Sequence, residues 1–127
     1  NDVEFDNKYA KINYKWPNEE FVRKSLEQLL ALKKRPQAIF TATDRMAIAA
    51  IQELQSRDIK VCEDMAVVGF DDIPLASIIS PALTTVRQPT AEMAEKAADV
   101  LINMIESSKK PKELKLFKPQ LVVRKSA

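Results

Sequence analysis

At 127 residues, with 46% hydrophobic and 30% charged side chains, the chain has the size and make-up of one globular domain and not of a disordered segment. Its 20 basic and 18 acidic residues leave a formal charge of +2, too small to argue by itself for nucleic acid or a membrane. With no histidine, one glycine and one cysteine, it excludes histidine triads, histidine-ligated metals, glycine-rich phosphate loops, the dinucleotide fingerprint and an internal disulfide.

The pattern then reads as alternating short strands and helices. Lys11–Tyr14 alternates around Ile12 and Tyr14 and suits a short strand, which Trp16-Pro17-Asn18 breaks. Asn18 is placed to cap a helix over Phe21–Lys34, whose stripe is Val22, Leu26, Leu29 and Leu30 and which Pro36 stops. Ala38–Thr41 is a strand, and Asp44 is expected to cap the next helix, Arg45 to about Arg57. That helix carries Ala47, Ala50, Ile51 and Leu54 on one stripe, with Met46, Ile48 and Ala49 off it. Two apolar faces need two partners, one of which could be another subunit.

Ile59–Val61 suits a minor strand. Met65–Phe70 is a strand whose run Ala66-Val67-Val68 predicts burial on both faces, and Gly69 is expected to supply a backbone conformation other residues avoid. An irregular connector, Asp71–Ser80, leads to a β-rich run at Leu83–Arg87. A helix from Thr90 to about Glu106 follows, with the stripe Ala94, Ala97, Ala98, Leu101 and Ile105. Two extended pieces, Glu113–Phe117 and Gln120–Arg124, end the chain. The fold class is therefore α/β, a mostly parallel sheet flanked by helices. The basic clusters Lys33-Lys34-Arg35 and Lys109-Lys110-Pro111-Lys112 fall in loops and read as solvated charge. No stretch approaches the roughly 18 apolar residues of a membrane span, no signal pattern begins at Asn1, and a cytoplasmic setting is expected.

In open α/β sheets, ligands bind beyond the carboxyl ends of the strands. Phe70 offers a stacking surface there, and Asp71 a carboxylate that no following helix claims, suited to hydroxyl or ring N–H donors. Thr43 could add a hydroxyl. Trp16 either stacks on a ligand or packs in the core. Asp44 reads as a cap or, with Asp71, as half of a Mg²⁺ or acid/base pair. Cys62 has no histidine to activate it and reads as inert. No full catalytic constellation emerges, so binding is favoured over catalysis, with no metal and no cofactor expected.

The segments Pro36–Ala47, Val67–Ala76, Pro81–Pro89 and Leu121–Ser126 together resemble the LacI/GalR family of bacterial transcriptional regulators. The first is shared with periplasmic sugar-binding proteins; Leu83–Pro89 and Val122–Ser126 are more typical of the regulators. The resemblance runs from about Trp16 to the end. It implies a Rossmann-like lobe of a type I periplasmic-binding-protein-like fold, in which an effector sits between two lobes. Such effectors are usually sugars, sugar phosphates, purines or a phosphoprotein. It places Asp71 at a common effector contact, Thr43 where an asparagine is frequent, and Trp16 near an aromatic contact, and it gives Ile48, Ile51, Gln52, Ile78 and Ile79 a role in a homodimer.

It also implies that operator DNA is read by an N-terminal helix-turn-helix that this chain does not contain. Residues 83–108 would resemble an element of a missing N-terminal lobe, lacking their usual sheet neighbours or exchanged between subunits. The expected function is effector sensing and dimerisation in a LacI-type regulator. A transporter's solute-binding protein is the alternative, and an enzyme using Asp44, Asp71 and Mg²⁺ a third reading.

Overall fold

The computed structural model describes residues 6–12, 19–107 and 115–127. Four strands form one sheet in the order β1 (Ala38–Phe40), β2 (Ala66–Asp71), β3 (Thr84–Arg87) and β4 (Gln120–Val122). β1, β2 and β3 run parallel, with Phe40 opposite Val68 and Asp71 opposite Arg87; β4 returns antiparallel to β3. The helices are α1 (Glu19–Leu30), α2 (Asp44–Gln55) and α3 (Thr90–Ser107), with short 3-10 turns at Asn7–Tyr9 and, after β2, at Pro74–Ser77. This is the mostly parallel α/β sheet the sequence predicts.

The predicted stripes of α1 and α2 build the core. Val22 and Leu26 of α1 pack with Ala47, Ala50, Ile51 and Leu54 of α2, over Met65, Val67 and Leu83. β2 is fully buried only at alternate positions, Val67 and Gly69, while Ala66, Val68 and Phe70 are half-buried. Successive strand residues point to opposite faces, so the apolar run marks one fully covered face and not the two that were expected. α1 ends at Leu30, short of the predicted Lys34, and Leu32 N–H bonds to the Leu29 carbonyl at 3.3 Å in a tighter closing turn. Ile59–Val61 forms only an isolated bridge, Val61 to Met65. The predicted strand Lys11–Tyr14 and the Asn18 cap fall partly or wholly outside the described residues.

Two expectations need correction. Leu83–Arg87 does not lack sheet neighbours: β3 is hydrogen-bonded to β2 on one side and β4 on the other. It is α3 that stands apart, with no buried residue and with Leu101 and Ile105 of its stripe 59% and 72% exposed. Gly69 does not have a positive φ. Its reason is space. A methyl carbon there would overlap the Asp44 carboxylate and press on Leu83 Cδ2 and Ala47 Cβ, at 3.0 and 3.3 Å.

The amino ends of β2 and β3 are closed by the chain's tail. The Ser126 hydroxyl, fully buried, donates to the Val67 carbonyl at 2.6 Å and accepts from Thr84 N–H at 2.8 Å. The Ser126 carbonyl accepts from Val67 N–H at 2.8 Å.

Because the Asp44 carboxylate is fixed by its own hydrogen bonds, it cannot step aside for a new methyl. Gly69→Ala should therefore destabilise the chain by about 2–3 kcal/mol, the sum of overpacking and a disturbed buried polar group. Urea denaturation measures it, and a variant as stable as the parent would refute the close-approach account.

Candidate functional site

The parallel strands bring their carboxyl ends to one edge of the sheet, where Thr41–Asp44 follow β1, Phe70–Ile73 end and follow β2, and Arg87–Gln88 end and follow β3. Thr41 shapes the first of these turns. Its N–H donates to the Val68 carbonyl at 2.9 Å and its hydroxyl to the Thr43 carbonyl at 2.8 Å. Thr43, and not Asp44, caps α2: its side-chain oxygen accepts from Met46 N–H at 3.3 Å while its own backbone is extended. The Thr43 hydroxyl is thus already engaged, though the residue is half-exposed.

Asp44 is the first residue of α2 and is fully buried. One oxygen accepts from the Thr85 hydroxyl of β3, and the other from Ile73 N–H at 2.8 Å. A carboxylate in the first turn also suits the positive end of the helix dipole. With both oxygens bonded inside the protein, Asp44 is unavailable as a ligand partner for Asp71. Among the described residues, no three histidine, cysteine or acidic side chains are grouped to hold a metal ion.

Asp71 and Asp72 then turn the chain sharply, both at positive φ (117° and 55°). Non-glycine residues in such conformations cost on the order of 1–3 kcal/mol each and persist only where the surroundings impose them. The half-buried Asp71 accepts one bond, from Gln88 Nε2 at 3.0 Å, and its second oxygen has no partner among the described residues. Asp72 is held on both oxygens: Arg87 Nε donates to one at 2.6 Å and Arg124 Nη2 to the other at 2.7 Å. Arg124 also donates from Nη1 to the Leu83 carbonyl at 2.8 Å. Burial works against ionising Asp72, but hydrogen bonds from Arg124 and then Arg87, with their positive charges, outweigh it and hold the carboxyl below its ordinary value of 3.8.

The edge therefore brings Asp71 and Thr43 to neighbouring strand ends but separates Phe70 from Asp71. Phe70 lies on the opposite face of β2, in an edge-to-face pair with Phe40 at 6.5 Å between ring centres. Trp16 lies outside the described residues. Ile51, expected at a dimer interface, is 2% exposed and belongs to the chain's own core, because its position on α2 faces the sheet with Ala47 and Leu54. Ile78, by contrast, is 74% exposed, and Gln52 is exposed on α2. A cavity of about 480 Å³ lies beside β1, lined by residues such as Phe21, Leu26, Ile39 and Met46. None of Thr43, Phe70 or Asp71 borders it. The convergence of polar groups, and not the size of the hollow, identifies the candidate site as an open wall.

Gln88, Arg87 and Arg124 were missed by sequence reasoning. Gln88 was findable, since it is the first residue past a strand ending at the same edge as Asp71. Arg124 lies in the Val122–Ser126 segment, but its role gave no local signal, because its partner is 52 residues away.

A family model described as a periplasmic binding protein-like domain matches residues 2–127. The ribose operon repressor of Escherichia coli (strain K12) is 43% identical over 103 residues, covering 81% of this chain and 31% of the repressor. The HTH-type transcriptional repressor PurR of Aliivibrio salmonicida is 35% identical over the same shares. The crystal structure of a LacI family transcriptional regulator from Lactobacillus casei with bound sucrose matches with a TM-score of 0.72. It is 34% identical, over 87% of this chain and 41% of that one. The chain spans about a third of the length of the curated relatives it matches.

A folded-state value below the ordinary one makes Asp72 stabilising above the usual carboxylate range, and that contribution is lost as pH falls below 3.8 toward the lowered value. Asp72→Asn should cost about 2 kcal/mol at pH 7, as expected for charge-assisted hydrogen bonds. The gap from the parent should shrink as the pH is lowered from roughly 5 through 3.8 toward the lowered folded-state value. Denaturation curves across that range check it, and a gap that stayed constant would contradict the assignment.

Proposed function

The chain belongs to the periplasmic binding protein-like domain family, in the form carried by LacI/GalR regulators, and from that premise we propose that it is the effector-sensing and dimerisation part of a LacI-type DNA-binding transcriptional regulator. The observation that carries the effector role is Asp71. It is a half-buried carboxylate at the carboxyl edge of a parallel sheet, set in an imposed backbone conformation, with one oxygen bonded, among the described residues, to a neutral amide alone and the other without a partner there. Such a group suits the hydroxyls of a sugar or sugar phosphate, or the ring N–H of a purine. The names of its relatives, a ribose operon repressor and a sucrose-bound regulator among them, point the same way. Thr43, at the neighbouring strand end, is the second effector contact in this reading.

The relatives are named as repressors, which favours a binding role over an enzymatic one and over a transporter's solute-binding protein. Among the described residues no helix is long and apolar enough to cross a membrane. A cytoplasmic regulator fits these features. In the complete protein an effector closes on Asp71 from the facing lobe. By binding one lobe arrangement better than the other, it changes the spacing of paired DNA-binding heads. The uncovered apolar stripe of α3 supports assigning that helix to the facing lobe, with β3 and β4 as its connections.

Homodimerisation is read through Ile48, Gln52, Ile78 and Ile79. Ile78 is a large apolar side chain standing in solvent beside the half-buried Ile79, on the segment that follows the 3-10 turn.

Two measurements test these assignments. In the complete regulator, Asp71→Ala should weaken D-ribose or sucrose binding by roughly 30-fold, the equivalent of about 2 kcal/mol for a charge-assisted bond. Isothermal titration of both sugars checks this, and equal affinities in parent and variant would remove Asp71 from the site. Ile78→Asp should convert a dimer to a monomer in sedimentation without altering the far-UV circular dichroism. A parent that sediments as a monomer would refute the interface.

A further inference from the structure

We propose that Asp72 is a positioning residue: with Arg87 and Arg124 it forms a clamp that holds the Asp71 backbone in its imposed turn and so aims the Asp71 carboxylate along the sheet edge. The proposal rests on the reading of Asp71 as an effector contact, but the clamp itself is judged by its own measurements.

Two adjacent non-glycine residues at positive φ, 117° at Asp71 and 55° at Asp72, need an external hold. Three ties are present. Ile73 N–H donates to the buried Asp44 carboxylate at 2.8 Å, and Gln88 Nε2 donates to Asp71 at 3.0 Å. The third tie, through Asp72, is the charged one. Its side chain is only 6% exposed, and each oxygen takes a different guanidinium, at 2.6 and 2.7 Å.

The two arginines do not come from one element. Arg87 ends β3, where the chain leaves the sheet toward α3, and Arg124 follows β4, where it has returned. Asp72 therefore ties the effector-facing turn to both ends of the excursion that carries α3. Arg124 spans two acceptors at once, Asp72 and the Leu83 carbonyl at 2.8 Å, so its fork also fixes the loop against the start of β3. A planar guanidinium can serve both acceptors in a fixed geometry, whereas a lysine ammonium acts as a single flexible point charge. If the excursion shifts relative to the sheet, the two arginines part, Asp72 is released, and the turn at Asp71 loses its hold. Asp72 touches no effector in this scheme. It acts through the orientation of Asp71.

The test is NMR on the full chain, comparing the parent with Asp72→Asn and Arg124→Lys. Asparagine tolerates the left-handed region as well as aspartate does, so Asp72→Asn removes the charge without changing the backbone preference. The expected result is exchange of the Ile73 amide at least tenfold faster, with the Gln88 side-chain amide signals moving to those of a free glutamine. The Val67 and Thr84 amides, bonded to Ser126 at the other end of the sheet, should stay within about twofold of the parent. Arg124→Lys, which keeps the charge and guards against a poorly folded Asp72 variant, should show the same pattern. Uniform acceleration of the Ile73, Val67 and Thr84 amides would make Asp72 merely structural and overturn the proposal, as would unchanged Ile73 and Gln88 signals in both variants. D-ribose titrated into the complete regulator, as parent and as Asp72→Asn, separates the two readings. Signals that ignore ribose in the parent, while Ile73 and Gln88 loosen in Asp72→Asn, support the clamp and count against the effector assignment. Ribose affinity that falls at least tenfold in Asp72→Asn supports both.

Discussion

The Asp44 carboxylate fixes the geometry on which the ligand edge depends. It is fully buried at the start of α2, and it accepts from the Thr85 hydroxyl of β3 and from Ile73 N–H in the loop after β2. One side chain thereby joins a helix, a neighbouring strand and the turn that carries Asp71. A buried carboxylate is expensive unless its oxygens are satisfied, so the three elements must come to it together or leave together. Gly69 follows from this constraint. β2 passes so close to the carboxylate that no side chain fits between them. The lone glycine of the chain is thus the space in which the Asp44 network sits.

At the other end of β2 the same logic is carried by a neutral group. Ser126 bonds through its hydroxyl to the Val67 carbonyl and to Thr84 N–H, and through its carbonyl to Val67 N–H. Both ends of the β2–β3 pair are therefore stitched by polar side chains arriving from elsewhere in the sequence. The sheet needs them because β1 and β4 are short and their outer edges carry little burial: Phe40 is 64% exposed and Leu121 62%. Fixing the central pair at both ends makes its carboxyl edge a rigid platform, which is what a site holding Asp71 in an unfavourable conformation requires.

Much of this was legible beforehand, and the failures share a cause. The stripes of α1 and α2 express burial, which is periodic, and they appeared where periodicity placed them, whereas the α3 stripe stays uncovered and the β2 run is fully buried on one face alone. The position of Asp71 at the carboxyl edge was legible because a carboxylate at the end of a buried strand, with no helix to cap, has few structural duties. The exact duties of polar residues were not legible, because they depend on partners distant in sequence. Thr43 and Asp44 are both good caps, and only the approach of Thr85 and Ile73 decides that Asp44 turns inward and leaves the cap to Thr43. Arg124 reaches Asp72 across 52 residues, and no local pattern reveals that pairing. Ile51 shows the limit of a two-faced helix: periodicity says two partners are needed, but not which residues meet which partner.

Three carboxylates end up at one edge with three different commitments, and the difference explains which of them a ligand can engage. Asp44 is closed off by burial and by two bonds whose loss would leave a charge unpaired in the core, a penalty of several kcal/mol. Asp72 is held by two guanidinium groups, each bond worth about 1.5–3 kcal/mol as a charge-assisted interaction. Asp71 has a single neutral amide on one oxygen and nothing described on the other. Replacing that amide by a ligand hydroxyl exchanges one bond to the carboxylate for another of the same kind, so the exchange costs little, and the second oxygen offers a further bond. The strongly held neighbours keep Asp71 in place while leaving it, among the described residues, the least committed of the three, and that inequality is why the proposed effector contact is assigned to Asp71 and not to them.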